Sequence, residues 1–477
     1  MLRSPALSHG RGELRGVPRL ISLAVLVAAC SAAPPRGEPG APASGPGRVV
    51  VISIDGLMPE AYLEPDRHGL AIPILRSLVA RGAAGRVHGV MPTVTYPSHT
   101  TLVTGVPPRI HGIVNNKPLD ALGKNLDGWR WYAEDIAVPT LYQAVEAQHR
   151  SAALIVWPVT VGARASVVVP EYWRAGGPDD QKLLRALSTP GVLDEVARGE
   201  PALWQLLTPP DIKDHAQIAI ARHVLASRRP ELLLIHMFAL DDAQHDHGPW
   251  SPEAIATIEA ADREIGLVLG DLERSPDWPR TTLAVVSDHG FAPYDREIRL
   301  GALFVQRGLI RTDAGGAITA ADVGVIASGG TAFVYVLDDH RRAAIDAAIA
   351  ELGEHIARRI EHDELVAIGG DPGASFALVA APGHSFSDKR TGDPIVQGPA
   401  RGSHGWPPSD PAMDASFVAY GPRVPHRALG AIDMLDVAPT LARWLGVALP
   451  SAAGRPIAPL VEPPIEPPAA AHYTGTH

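Results

Sequence analysis

Arg48-Val-Val-Val-Ile-Ser-Ile-Asp55-Gly56, residues 48–56, is a continuous run of mostly β-branched apolar residues that ends on a carboxylate and a glycine. A run this apolar, without polar alternation, predicts a strand buried on both faces of a sheet. Leu232–Asp241 (LLLIHMFALD) and Thr282–Gly290 (TLAVVSDHG) repeat the pattern, and each reaches a carboxylate, Asp241 and Asp288. Two further strands are expected over residues 152–158 and 416–421. Between the strands lie helical patterns. Ser251-Pro252 reads as an N-cap followed by Pro at the first helical position, and Ile255, Ile258, Ile265, Leu269 and Leu272 then follow helical spacing. Ile345, Ile349, Leu352, Ile356 and Ile360 predict another helix over 339–362. Strands alternating with helices imply an α/β fold, a largely parallel sheet with helices on both faces. Ligands in such sheets bind beyond the carboxyl ends of the strands, so Asp55, Asp241 and Asp288 are expected at one edge.

Three carboxylates crowded together repel one another unless cations compensate them. Histidines near them complete a metal argument. His245 follows Asp241 by one helical turn, and His289 follows Asp288 directly. His404 lies in Gly402-Ser-His-Gly405, a glycine-flanked turn that lets backbone approach a site closely. Imidazole and carboxylate without thiolate suit zinc in a catalytic role, with manganese or iron fitting nearly as well. The hydroxyl-rich stretch MPTVTYPSHTTLVTG, residues 91–105, then acquires a meaning. Pro97 suits the first turn of a short helix and Gly105 its end. Thr95 would sit at the helix N-terminus, where backbone N–H groups favour an anion, and a neighbouring cation would activate its hydroxyl as a nucleophile. The alternative is that Thr95 caps the helix and does nothing more.

At 477 residues the chain accommodates one large α/β domain with an insertion, or two ordinary domains. A hydrophobic fraction of 46% with 20% charged residues describes a globular protein with a core. The formal net charge of −10 argues against a broad basic face, so no nucleic-acid polymer is expected as partner. The one cysteine, Cys30, excludes an intramolecular disulfide and a thiolate zinc site. Four arginines, Arg3, Arg11, Arg15 and Arg19, precede the apolar stretch 20–29, which reads as an export signal too short to span a bilayer permanently. Val27-Ala28-Ala29-Cys30 resembles the bacterial lipobox, in which the Cys is lipidated and becomes the mature N-terminus. The alternative is an ordinary signal peptide cut near Ala33. The expected organisation is therefore a lipoprotein-type signal over 1–30, a Pro/Gly/Ala linker over 31–47, a catalytic domain over 48–450 and a Pro/Ala-rich tail over 451–477. Residues from about 293 to 400 are expected as an inserted region beside the sheet. Export to a bacterial periplasm or outer membrane, lipid-anchored at Cys30, follows.

Together these residues resemble the alkaline phosphatase superfamily, and most closely its nucleotide pyrophosphatase/phosphodiesterase branch. Pro92-Thr-Val-Thr95-Tyr-Pro97-Ser-His99 resembles the branch's nucleophile segment, and His111-Gly-Ile-Val-Asn-Asn116 its phosphate-contacting asparagine. Asp241 to Pro249, Ser287-Asp-His-Gly290 and Gly402-Ser-His-Gly405 match its remaining metal motifs in order, and Trp157-Pro158 and Pro170-Glu-Tyr-Trp173 are similar to it as well. The likeness runs from about residue 48 to 447. Ser98 stands where the branch commonly has Asn, and Ala239-Leu-Asp241 where it commonly has Glu-Pro-Asp.

The resemblance implies a three-layer α/β/α sandwich and two zinc ions. Asp241, His245 and His404 would bind one; Asp55, Asp288 and His289, alongside Thr95, the other. Asn116 and the backbone after Thr95 would hold a non-bridging phosphate oxygen. Thr95 would attack phosphorus, and the resulting phosphothreonine would be hydrolysed by water. The implied substrate is a small phosphate ester, a nucleotide or a lipid head group; Tyr96, Trp157 and Tyr172 are candidates to line its cleft, the alternative being that they belong to the core. A phosphomonoesterase or phosphonate hydrolase would share the whole metal site; Arg164 would supply the extra cation a monoesterase needs, the alternative being a solvent-exposed or structural Arg. A non-enzymatic zinc-binding surface lipoprotein is the third class, but storage of zinc needs no nucleophile.

Overall fold

The strand Arg48–Ile54 lies fourth from one edge of an eight-stranded sheet in the computed structural model. The order across the sheet is Arg427–Asp433, Ala83–His88, Ala415–Tyr420, Thr281–Val286, Arg48–Ile54, Leu232–Met237, Ala152–Ile155 and Val167–Val169. Ala415–Tyr420 alone runs antiparallel to its neighbours, so the sheet is largely parallel as expected. The structure describes residues 46–125, 128–174, 178–207 and 214–461. Cys30, the export signal and most of the linker lie outside the described residues.

Every residue of Arg48–Ile54 is buried, and the pleat divides them between two cores. Val50, Ile52 and Ile54 pack with Leu75 and Leu78 of the helix Pro73–Arg81, Val224 of Asp214–Ser227, and Ile258 and Ile265 of Pro252–Arg274. Val49 and Val51 face the other way, onto Leu102 and Val103 of Thr95–Thr104 and Leu441 and Leu445 of Val437–Leu445. Helices cover both faces, which is the three-layer α/β/α arrangement.

Several boundaries differ from the sequence reading. The strand expected to run to Asp241 stops at Met237, because Asp214 Oδ1 accepts the N–H groups of Phe238 and Ala239 and starts the helix Ala239–His247 there. Asp241 therefore stands in the first turn of a helix rather than at a strand end. The helix expected over 339–362 is confined to Arg342–Ala350; Gly353, at φ +49°, breaks it, and Ile356–Glu361 forms a strand instead. Its β-branched Ile356 and Ile360 pack equally well on a sheet. That strand edges a four-stranded antiparallel sheet with Val323–Ser328, Thr331–Val336 and Phe376–Ala380, which has its own apolar cluster around Phe304, Val334 and Leu378. A three-stranded sheet of Gly383–Phe386, Ala292–Ile298 and Ile395–Ser403 delivers the chain back to His404. Residues 451–461, read from sequence as the start of a tail, are packed: Ile457 and Leu460 are buried beside Leu441 and Leu445.

Candidate metal centre and active site

Asp55, Asp288 and His289 follow directly on two adjacent parallel strands, Arg48–Ile54 and Thr281–Val286, whose register pairs Ser53 with Val286. On the other side Ser53 pairs with His236, and the helix Ala239–His247 begins three residues later. The three carboxylates thus meet at one sheet edge. Two overlapping groups of side chains converge there: Asp55, Asp288 and His289, and Asp241, His289 and His404, the ligand atoms of each lying within 4.8 Å of one another. His289 Nε2 is 3.3 Å from Asp55 Oδ1 and 3.0 Å from Asp288 Oδ2. His404 Nε2 is 3.8 Å from Asp241 Oδ1, and His245 Nε2 is 3.4 Å from Asp241 Oδ2.

The grouping differs in one respect from the expected division of ligands. His289, assigned from the resemblance to Asp55 and Asp288 only, also reaches Asp241 and His404, because its ring stacks on His404 at 3.7 Å. His245 remains at the half-exposed rim, its ring 5.1 Å from His404 and its Nδ1 donating to the Gly402 carbonyl at 3.1 Å.

Whether these residues suit a cation is answered by the atoms left over. Asp55 Oδ1, Asp241 Oδ1, Asp288 Oδ2 and His289 Nε2 are all buried without a hydrogen-bond partner. Buried polar atoms are almost always paired, so four orphans facing one another form a site that divalent cations fit. The charges agree. Burial, then the charges of Asp288 and Asp241, push the Asp55 carboxyl well above the usual carboxylate range. Burial, then the neighbouring His289 and His245, keep His404 neutral, with a lone pair to offer. Burial opposes charge on His289 as well, but Asp288 holds it up at about 9.

Thr95 is the first residue of the helix Thr95–Thr104, which closes at Gly105 in the left-handed conformation, φ +69°. The N-cap position belongs to Val94 and carries no side-chain cap, so Thr95 does not serve the helix as a cap. Its side chain is 8% exposed. The helix is docked on the metal-side cluster by His99, whose Nδ1 meets the Thr95 carbonyl at 2.8 Å, whose Nε2 meets Ser53 Oγ at 2.8 Å, and whose ring lies 3.6 Å from Asp288. Asn116 lies against the same turn, but not as two separate donors. The Tyr96 N–H donates to Asn116 Oδ1 at 2.8 Å, so the backbone donor after Thr95 is occupied and the amide nitrogen is the one side-chain donor Asn116 has to offer.

The aromatic expectations divide. Tyr96 and Trp157 are buried, at 0% and 1% exposure, and belong to apolar clusters of the core. The Tyr96 hydroxyl donates to Glu171 Oε1 at 3.0 Å, and Trp157 packs edge-on to His99. Tyr172 is half-buried beside Trp131. Arg164 is exposed. Sequence reasoning missed His236, Glu171, His99 and Ser53, which surround the carboxylates. The signal was present: His236 and Ser53 are the polar residues interrupting otherwise apolar strands.

The family model described as type I phosphodiesterase/nucleotide pyrophosphatase matches residues 49–407. Ectonucleotide pyrophosphatase/phosphodiesterase family member 3 of Mus musculus is 24% identical over 256 residues, 51% of this chain and 24% of the relative. A pyrophosphatase/phosphodiesterase of Schizosaccharomyces pombe is 29% identical over 254 residues, 51% of this chain and 45% of its own length. The chain thus spans about a quarter to a half of the curated relatives it matches. Murine ectonucleotide pyrophosphatase/phosphodiesterase 5, solved as an inactive variant in complex with AMP, shares the fold with a TM-score of 0.61 at 19% identity, covering 84% of this chain and 96% of that one. The chain belongs to the type I phosphodiesterase/nucleotide pyrophosphatase family, within the alkaline phosphatase superfamily.

Proposed function

We propose that the protein hydrolyses phosphate diesters of the nucleotide type, using two divalent cations, zinc foremost, and Thr95 as nucleophile. The observation that carries this reading is the set of buried, partnerless atoms on Asp55, Asp241, Asp288 and His289 beside the first turn of the Thr95 helix. Asp241, His245 and His404 would hold one ion, and Asp55, Asp288, His289 and Thr95 the other. Bound there, the cations would supply positive charge to stabilise the attacking and leaving oxygens. Thr95 Oγ1 attacks phosphorus as its proton passes to solvent, the P–O bond to the leaving alcohol or phosphate breaks on the opposite side and that oxygen takes up a proton, and water then cleaves the phosphothreonine, releasing phosphate or its monoester and restoring the Thr95 hydroxyl. Throughout, the Asn116 amide nitrogen donates to a non-bridging oxygen, oriented by the bond its oxygen accepts from the Tyr96 N–H. Of the aromatic residues considered for substrate contact, Tyr172 is the one still partly open to solvent.

Diester preference over the monoesterase reading is supported by charge. A monoester dianion needs an added cation near its oxygens, whereas Asn116 is neutral and Arg164 is exposed. A nitrophenyl diester is expected to show higher kcat/KM than its monoester partner with zinc present, and Arg164→Ala to change little. A clear win for the monoester, reversed by Arg164→Ala, would establish the monoesterase instead. Export and lipid attachment at Cys30 belong to the same proposal, supported by the basic and apolar start of the chain.

A further inference from the structure

Trp157-Pro158, with Val156 before it, and Pro170-Glu171-Tyr-Trp173 supply none of the expected cation ligands, yet through the Val156 carbonyl and Glu171 both segments converge on His236. This histidine, 1% exposed, lies near the end of the strand Leu232–Met237, beside Ser53. Its Nδ1 is 3.0 Å from Glu171 Oε2 and 3.3 Å from the Val156 carbonyl oxygen. Both are acceptors, so Nδ1 carries a hydrogen and the ring cannot flip without losing two bonds. Its Nε2 is 3.1 Å from Asp55 Oδ2. The Val156 carbonyl is delivered by unusual backbone: Val156 and Val159, flanking Trp157-Pro158, have φ of +54° and +59°. Left-handed conformations cost β-branched residues energy and persist where the surroundings enforce them. Glu171 is anchored in turn, its second oxygen accepting from the Tyr96 hydroxyl.

The consequence falls on Asp55. One of its oxygens is committed to His236, and the other, Oδ1, is partnerless and faces His289. Asp288 is treated alike: Oδ1 accepts the Gly56 N–H at 3.1 Å, and Oδ2 is partnerless. Each carboxylate therefore presents a single oxygen at a set angle. We propose that His236, clamped by Glu171 and the Val156 carbonyl, is the positioning residue that turns Asp55 to offer Oδ1 alone to the cation shared with Asp288 and His289. The chain Tyr96–Glu171–His236–Asp55 also ties the residue after Thr95 to that ligand, so nucleophile helix and carboxylate are set by one hydrogen-bonded unit. This rests on the two-cation reading of the site.

The test is zinc affinity, measured by chelator competition on the full chain and again in a His404→Ala background that leaves chiefly the site of Asp55, Asp288 and His289. His236→Phe removes both bonds at similar volume and is expected to weaken that site about 10- to 100-fold, the range for lost partners of metal ligands, while the other site keeps its affinity. His236→Gln, which retains an amide donor toward Asp55, should recover part of the loss. If His236→Phe does not fold, Glu171→Gln serves: it exchanges the charged acceptor for a neutral one and should weaken the same site alone. A lower melting temperature of the zinc-free variants with both affinities unchanged would mean that His236 is structural packing, and overturns the inference. Failure of the parent protein to take up zinc at all would overturn the two-cation reading and this inference together.

Discussion

Thr95 carries the sharpest consequence at the scale of single residues. Its hydroxyl is a small polar group on a helix whose N-cap is Val94, so deleting it removes no cap. Thr95→Ala should keep the fold and its melting temperature while turnover on a nitrophenyl diester falls about a thousandfold or more, as for other lost nucleophiles. Thr95→Ser, which keeps the attacking oxygen, should retain substantial turnover. Near-normal turnover by Thr95→Ala would remove the nucleophile from the proposal. The residue type and its neighbours Pro97 and Gly105 were legible in the sequence, since each has a fixed local meaning in a short helix. The bond between the Tyr96 N–H and Asn116 was not, because it joins residues twenty positions apart through a tertiary contact.

Among the elements, the strand Ile395–Ser403 and the helix Ala239–His247 together set the distance between His404 and Asp241. Their approach depends on Gly402. A Cβ there would lie 2.4 Å from the Gln244 carbonyl oxygen and 3.0 Å from Phe291 and Pro249. Gln244 sits between Asp241 and His245, and a rigid backbone oxygen has no way to give. Gly402→Ala is expected to push strand and helix apart, cost about 1–3 kcal/mol as overpacking does, and weaken zinc at the site of Asp241, His245 and His404. Unchanged zinc affinity with a lowered melting temperature would separate the packing from the site. Gly405 makes the matching contact, its built Cβ falling on the Ser328 carbonyl oxygen. The glycine-flanked turn was readable from sequence; the partner it makes room for was not.

For the whole molecule, removal of the cations is the telling experiment. In the cation-free protein the raised Asp55 carboxyl holds a proton that the unfolded chain has already released above pH ~4. Asp55's own contribution to the stability of the stripped protein should therefore decline as pH rises from there through its raised folded value, opposite in sign to the contribution of His404, which burial keeps neutral where the unfolded chain still protonates it. Zinc replaces that proton, so the gain in melting temperature on adding zinc should grow over the same window. Close to two zinc ions per chain are expected by elemental analysis, with chelation abolishing hydrolysis and zinc restoring it. An active preparation without any bound transition metal would contradict the proposed mechanism. At the other end of the chain, mass spectrometry of the mature protein should find acyl groups on Cys30. Two such chains, at about 0.8 kcal/mol per buried methylene, suffice for firm attachment. An unmodified N-terminus downstream would point to ordinary signal cleavage near Ala33.

By itself the sequence determined the class of fold and the identity of the converging groups. Three apolar runs ending in or near Asp55, Asp241 and Asp288 can hardly be read otherwise, because continuous burial on both faces and ligand sites at strand ends are local consequences of a parallel sheet. Tertiary structure decided what those runs could not encode. It ended one strand at Met237 through a cap from Asp214, far away in sequence. It turned the supposed long helix after Asp339 into a short helix and a strand, since β-branched residues serve either element until a neighbouring sheet claims them. It placed Tyr96 and Trp157 in the core, and it built the ring of His236, Glu171, His99 and Ser53 around the carboxylates. Those four residues come from separate segments, and only packing brings their hydrogen bonds within reach.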